Sequence, residues 1–127
     1  PDAAATLEGL RKAGVRLAFL SNLGADMLES NMRINALDQW MDAPLSTDFV
    51  RAFKPSPRAY AMAPGHFGVS REEVGFVAFG GWDALGAKWY GYRTAWINRL
   101  GVTEETLTPR PDAVARDLSA LSVLRQA

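Results

Sequence analysis

The chain has 127 residues, of which 48% are hydrophobic and 22% charged, and its net charge is zero. This composition is typical of one globular domain with a buried core and excludes a broad basic surface for nucleic acid or an anionic membrane. The sequence has no cysteine and one histidine, His66, which excludes a disulfide framework, a thiolate nucleophile and a metal site built from several such residues. No apolar run approaches the roughly 20 residues of a membrane span and no signal peptide is recognisable. We therefore expect a soluble, cytoplasmic protein.

Segments of helical periodicity alternate with short apolar segments along the chain. Helices are predicted at 5–14, 24–37, 56–68 and 83–91, with a terminal helix after a brief extended piece near residue 110. Strands are predicted at 15–20, 42–46, 73–79 and 93–98. Pro64 is expected to kink or end the third helix. Near-continuous apolar strands separated by helices predict an α/β fold, with a Rossmann-like parallel sheet and helices on both faces.

Polar residues occur where these predicted strands end and helices begin. Ser21 and Asn22 follow the first strand, Lys54 precedes a helix, and Asp83 comes after the strand 73–79 and a Gly-Gly pair. In parallel α/β sheets, binding sites lie at the carboxyl edge of the strands. We therefore expect these residues to meet in one pocket at that edge.

Each of these residues also has a structural interpretation. Ser21 and Asn22 can cap a helix, or they can bind an anion at a helix N-terminus. Lys54 can be a solvated charge, or a cation that keeps a nucleophilic carboxylate ionised beside an anionic substrate. Two unit charges about 4 Å apart interact by about 4 kcal/mol at an effective dielectric constant near 20, so such a cation is needed there. Asp83 can cap the helix 83–91, or it can orient Lys54 or a hydrolytic water.

Other chemistry-bearing residues are less informative. Tyr60 is either a core residue or a hydroxyl partner of Lys54, and Trp82 is interpreted as a wall of the site. His66 has no serine or acid at a spacing that supports a hydrolytic triad. The glycine-rich motifs of nucleotide-binding proteins are absent. We interpret three further charges as surface or structural ones: Arg58, Lys88 and Arg99.

The segments "RLAFLSNLG", "AFKPSPRAY" and "GWDALGAKWYGYRTAWINR" occur in this order. Together they resemble the haloacid dehalogenase (HAD) superfamily, and within it the type II (S)-2-haloacid dehalogenases. The last segment is the most specific, because it is characteristic of those dehalogenases rather than of the superfamily's phosphatases. The resemblance implies a Rossmann-like core, a helical cap, and hydrolysis of a 2-haloalkanoic acid to a 2-hydroxy acid with inversion. In that family an aspartate displaces the halide, and water then opens the resulting ester.

The resemblance also implies roles for individual residues. Ser21 and Asn22 would bind the substrate carboxylate and halide, with Trp82 as a further substrate-binding residue. Lys54 would neutralise the carboxylates, with Tyr60 beside it. Asp83 would support Lys54 and the hydrolytic water.

No cofactor is expected, and Phe79 decides the question of a metal. The superfamily's phosphatases hold Mg²⁺ with oxygen ligands that include an acid four residues before the position of Asp83. That position is Phe79 here, which has no oxygen to offer a hard cation. We therefore predict no essential magnesium.

The sequence departs from the family pattern in two places. The family's Ser-Ser-Asn-x before Trp-Asp reads Ala78, Phe79, Gly80 and Gly81, and loss of one oriented donor can cost about 10²–10³ in rate. The nucleophile motif Asp-x-x-Gly-Thr, the cap and the cap's halide-binding arginine do not occur in these residues. Because the sequence also starts at Pro1 and enters helical patterning at once, we interpret it as part of a longer polypeptide, or as a processed or partial form of one. Residues 1–127 are predicted to be the C-terminal part of a HAD-like core domain, without a cap and inactive alone.

Three functions remain open at this point. The first is a metal-independent dehalogenase acting on a small 2-haloacid, and the second is a HAD-like module that binds or assembles without catalysis. The third is a HAD phosphatase, which Phe79 disfavours. A core without its first strand would expose an apolar sheet edge, so we also expect self-association into a homo-oligomer.

Overall fold

The computed structural model describes residues 2–125. The chain forms two compact units, one up to Phe67 and the other from Gly68 onward. Strand pairing in both units is parallel, which confirms the α/β fold predicted from the sequence. Every helix in the described range is too short or too polar to span a lipid bilayer.

The first unit is built around a two-stranded parallel sheet. Its elements are α1 (Ala3–Lys12), β1 (Ala18–Ser21), α2 (Ala25–Ile34), β2 (Ala43–Ser46), α3 (Pro57–Tyr60) and α4 (Met62–Phe67). The strands pair in register from Ala18 opposite Ala43 to Ser21 opposite Ser46. Helix α2 packs against β2 and buries an apolar stripe on one side. Both strands therefore end in a serine at the same edge.

The second unit contains a three-stranded parallel sheet in the order β3-β4-β5. Its elements are β3 (Gly75–Ala78), α5 (Gly81–Tyr90), β4 (Arg93–Ile97), β5 (Ala113–Ala115) and α6 (Leu121–Leu124). Helix α5 packs on β3 and β4. It ends at Gly91, whose φ of +115° is left-handed, a conformation that favours glycine. At the carboxyl edge of this sheet, one loop begins after Ala78 in β3 and another after Ile97 in β4.

The predicted helix 56–68 is two short helices with a break at Ala61. Proline inside a helix lacks an N–H, and its ring clashes with the carbonyl four residues earlier. For Pro64 that residue is Tyr60, where α3 ends. Pro64 therefore acts as the sequence predicted, but its effect falls one turn upstream.

Two features of the strands and loops differ from expectation. Burial alternates along β3, where Phe76 and Ala78 are buried but Val77 is 41% exposed, so only one face of this strand is covered. By contrast, β4 is buried from Thr94 to Ile97. Short 3₁₀ helices at Thr47–Val50 and Arg71–Glu73 were not predicted, because each is too short to show helical periodicity in the sequence. A third, Leu118–Ala120, leads into α6, where a terminal helix was predicted.

An ion pair ties α5 to the segment before β5. Lys88 Nζ lies 2.7 and 2.9 Å from the two carboxylate oxygens of Asp112. The same carboxylate accepts a hydrogen bond of 2.7 Å from the Thr94 amide at β4. Partial burial alone would raise the pKa of Asp112, but the Lys88 and Thr94 hydrogen bonds outweigh it and lower the pKa. Lys88 is thus a structural charge, as the sequence indicated.

We predict that Asp112→Asn lowers the free energy of unfolding by about 1 kcal/mol at pH 7, because the charge-assisted bonds are lost. A lowered folded-state pKa stabilises the protein above the unfolded-state value, and this stabilisation disappears as pH falls below about 4. Denaturant titrations at pH 7 and pH 3 measure the difference. It should shrink at pH 3, and the exposed Asp38→Asn control should show little change at either pH. An equal loss at both pH values would contradict the ion-pair explanation.

Candidate functional site

Serine hydroxyls shape the turn that follows β1. Ser21 Oγ accepts a hydrogen bond of 3.1 Å from the Leu23 amide. Ser46, at the paired end of β2, donates a hydrogen bond of 2.6 Å to the Leu23 carbonyl and accepts one from the Asp48 amide. The N-cap of α2 is Gly24, without a side-chain cap. The interpretation of Ser21 or Asn22 as a cap of this helix is therefore wrong.

Asn22 connects three segments of the first unit at this edge. Its Oδ1 accepts hydrogen bonds from the Lys54 amide at 2.9 Å and from Thr47 Oγ1 at 3.2 Å. Its Nδ2 lies 3.4 Å from the Lys54 carbonyl oxygen. One side-chain amide thus pairs with both backbone groups of Lys54, as a neighbouring strand would. We call these contacts the Asn22 clamp.

Lys54 lies in the turn before α3 and is half-buried. The peptide bond between Lys54 and Pro55 is cis. Helix α3 then begins with Pro57 at its first position, and the Ser56 hydroxyl caps it by accepting from the Arg58 amide at 3.3 Å. Tyr60, at the end of this helix, is fully buried. The first unit therefore brings Lys54 to Ser21 and Asn22, with Tyr60 on the helix that follows.

Asp83 lies in the first turn of α5 in the second unit. The N-cap of this helix is Gly80, so the alternative that Asp83 caps the helix is wrong. The Asp83 carboxylate is nevertheless buried, with 7% of the residue exposed. Trp82 is 54% exposed beside it. A carboxylate in the first turn is favoured by the helix dipole.

Two indole rings enclose the Gly-Gly turn that precedes Asp83. Trp96 is buried on β4, and its Nε1 donates a hydrogen bond of 2.9 Å to the Phe79 carbonyl. A Cβ atom added to Gly81 would lie 3.2 Å from Cζ2 of Trp96, and one added to Gly80 would lie 2.9 Å from Nε1 of Trp82. The glycines therefore permit close approach of the backbone to both rings.

A cavity of about 150 Å³ opens between the loop after β3 and the loop after β4. The Asn98 side chain closes the second loop by hydrogen bonds of 2.8 and 2.9 Å with the Val102 carbonyl and amide. A space of this size can hold a small organic molecule. Its lining is largely apolar or backbone: Phe79, Gly80, Gly81, Asn98, Leu100 and Val102, with Arg99 at the same loop.

Lys54 and Asp83 belong to different units, and their convergence stays a prediction. No cluster of three or more metal-binding side chains occurs in residues 2–125, and independence from metal likewise stays a prediction. Sequence reasoning missed Thr47 and Trp96. A tryptophan inside an apolar strand was the available signal, because a buried indole N–H usually finds an acceptor.

Comparisons with known proteins agree with the motifs. A family model described as haloacid dehalogenase-like hydrolase matches residues 1–91. Haloacetate dehalogenase H-2 of Moraxella sp. (strain B) is 36% identical over 121 residues, which cover 95% of this chain and 54% of that protein. (S)-2-haloacid dehalogenase 4A of Burkholderia cepacia is 44% identical over 101 residues, which cover 80% of this chain and 44% of that protein. The chain thus spans about half the length of these relatives.

Solved structures give the same assignment. The crystal structure of the L-2-haloacid dehalogenase RSc1362 aligns with a TM-score of 0.93 and 42% identity, covering 100% of this chain and 56% of that one. L-2-haloacid dehalogenase from Xanthobacter autotrophicus, with chloropropionic acid covalently bound, aligns with a TM-score of 0.82 and 34% identity, covering 90% and 55%. This chain belongs to the haloacid dehalogenase-like hydrolase family, and within it to the type II haloacid dehalogenases.

Proposed function

We propose that the whole protein hydrolyses a 2-haloalkanoic acid to a 2-hydroxy acid and halide, without a metal ion. The observation that carries this proposal is the Asn22 clamp, which fixes the backbone of Lys54 beside Ser21 at the carboxyl edge of the β1–β2 sheet. An anionic substrate attacked by a carboxylate needs a cation held in a defined position. The clamp holds the Lys54 backbone in such a position, and we assign the Lys54 ammonium group to the reacting charges.

The proposed reaction has two balanced steps. A carboxylate outside these 127 residues attacks C2 of the substrate, and the halide leaves with the bonding electron pair as an ester forms. Water then attacks the ester carbonyl, which releases the 2-hydroxy acid, returns the carboxylate and frees one proton. The covalently bound chloropropionic acid of the Xanthobacter enzyme supports such an ester route for a related protein.

Lys54 keeps the attacking carboxylate ionised next to the substrate carboxylate. At about 4 Å and an effective dielectric constant near 20, each such charge pair is worth about 4 kcal/mol. One cation that lies this close to both anions makes two attractive pairs, which outweigh the single repulsion between the anions. Ser21 and Asn22 bind the substrate at the same edge, with Trp82 as a further substrate-binding residue. Tyr60, which is fully buried on the helix after Lys54, supports that residue. Asp83 orients Lys54 and the water of the second step.

A non-catalytic binding module is the second candidate, and the turn after β3 favours it. Ala78 and Gly80 lack the hydroxyl and amide groups that the family pattern provides, and the Phe79 side chain between them is 62% exposed. An exposed aromatic ring at this edge suits contact with another molecule. A phosphatase is less favoured, because Phe79 offers no oxygen ligand to magnesium.

Halide release from (S)-2-chloropropionate by the full-length protein tests the reaction. We expect stoichiometric release of chloride and 2-hydroxypropionate that persists in excess EDTA, because the proposed chemistry uses no metal. The (R)-enantiomer and p-nitrophenyl phosphate serve as comparison substrates. No halide release would favour the binding module, whereas EDTA-sensitive cleavage of the phosphate ester would favour the phosphatase.

Lys54→Ala is expected to lower kcat by at least about 100-fold while leaving the fold intact, since an oriented charge is lost from the reacting centre. Lys12→Ala is the matched control, because Lys12 is exposed on α1 and forms an ion pair with Glu8 one turn earlier. Steady-state halide release and circular dichroism separate turnover from folding. Turnover within threefold of wild type in Lys54→Ala would remove this residue from the mechanism.

A further inference from the structure

We propose that Trp96 is a positioning residue that sets the location of the Asp83 carboxylate. The inference rests on the proposed function of Asp83, and it adds a residue on β4 to the machinery. Trp96 contacts the backbone of the turn between β3 and α5. It acts on the reaction through that turn.

The first contact is a hydrogen bond beyond the end of the strand ladder. Ala78, the last residue of β3, lies opposite Trp96 in the parallel register. The next carbonyl, that of Phe79, turns out of the ladder and accepts from Trp96 Nε1 at 2.9 Å. The indole therefore replaces a ladder partner at the point where the chain leaves the sheet.

The second contact is between the ring and Gly81, the first residue of α5. A Cβ atom on Gly81 would lie 3.2, 3.5 and 3.6 Å from Cζ2, Cη2 and Cε2 of Trp96. The six-membered ring of Trp96 thus packs closely against the Gly81 backbone. Because Trp96 is 3% exposed on a buried strand, its ring has little freedom to move.

Trp96 therefore contacts the turn at Phe79, before Gly80, and at Gly81, after it. Asp83 follows this turn by two residues. The amides of Asp83 and Ala84 donate to the Gly80 carbonyl at 3.1 and 3.0 Å, so the first turn of α5 continues directly from the held segment. A shift of about 1 Å in a catalytic group can cost about 100-fold in rate. A rigid side chain that fixes this turn therefore affects turnover without meeting the substrate.

The test compares Trp96→Phe with Trp89→Phe in the full-length protein. Trp89 Nε1 also donates to a backbone carbonyl at 2.9 Å, that of Thr108, but on an exposed part of α5. We expect Trp96→Phe to lower kcat for halide release by about 10- to 100-fold with KM changed less than about threefold. Trp89→Phe should leave both constants within about twofold. Equal effects of the two substitutions, or a kcat of Trp96→Phe within about twofold of wild type, would overturn the proposal.

Gly81→Ala tests the same turn from its second contact and keeps the Trp96 side chain in place. Its Cβ presses on the Trp96 ring, whereas the matched control Gly65→Ala in α4 meets nothing within 4 Å. We expect Gly81→Ala to lower kcat, and the double variant with Trp96→Phe to be no worse than Trp96→Phe alone, because the smaller ring relieves the contact. Additive losses in kcat would contradict a shared mechanism.

Amide hydrogen exchange gives a readout that does not need catalysis. In Trp96→Phe, protection of the Asp83 and Ala84 amides should fall while that of the amides in β5 is retained, and Trp89→Phe should leave all of them unchanged. Unchanged protection at Asp83 would overturn the positioning role even if kcat falls. If the wild-type protein releases no halide from any 2-haloacid, the proposed function fails, and the exchange experiment alone decides whether Trp96 positions Asp83.

Discussion

The loops at the carboxyl ends of the strands carry the candidate site residues, and their backbone groups take side chains as partners in place of the sheet ladder. A buried amide or carbonyl left without a partner costs about as much as a lost hydrogen bond, so these loops need substitutes for the strand that has ended. The Asn22 side chain accepts a hydrogen bond from the Lys54 amide, and the Trp96 indole donates one to the Phe79 carbonyl. The side chain that satisfies the backbone also fixes the loop, and stability and site geometry thereby depend on the same bonds.

The departures from the family pattern at 78–81 fit together physically. Ala78 is 2% exposed, so a serine hydroxyl there would need a partner inside the protein. An asparagine at 80 would bring a Cβ to within 2.9 Å of the Trp82 indole and would require that ring to move. Small residues at both positions let Trp82 lie back over the turn. The residues of this turn are therefore small where the Trp82 and Trp96 rings lie closest to its backbone.

The fold was predictable from this sequence because it depends on apolar periodicity. All four strands expected before residue 100 are present with shifts of a few residues at their ends, since burial of apolar side chains selects them. The grouping of Ser21, Asn22 and Lys54 followed from topology, because parallel strands end at one edge. Asn22 illustrates the limit: its partner Lys54 lies 32 residues away in the chain, and no local pattern encodes that bond.

Thr47 and Trp96 were missed for a related reason. Both act through contacts to residues distant in the chain, and both sit in segments whose local pattern has a simpler explanation. Thr47 belongs to a short 3₁₀ helix, and Trp96 to an apolar strand. Their roles become visible once the acceptor of each donor is known: Asn22 Oδ1 for Thr47 and the Phe79 carbonyl for Trp96.

Asp83 bears most directly on the choice between an enzyme and a binding module. A carboxylate in the first turn of a helix gains about 0.3–1 kcal/mol from the helix dipole, whereas removing a charge from water costs several kcal/mol. Gly80 occupies the N-cap position, so Asp83 does not act as the cap of this helix. An exposed residue would serve the helix at least as well. A carboxylate buried in the first turn of α5, next to the Gly-Gly turn, is in a position suited to the catalytic role that we propose for Asp83.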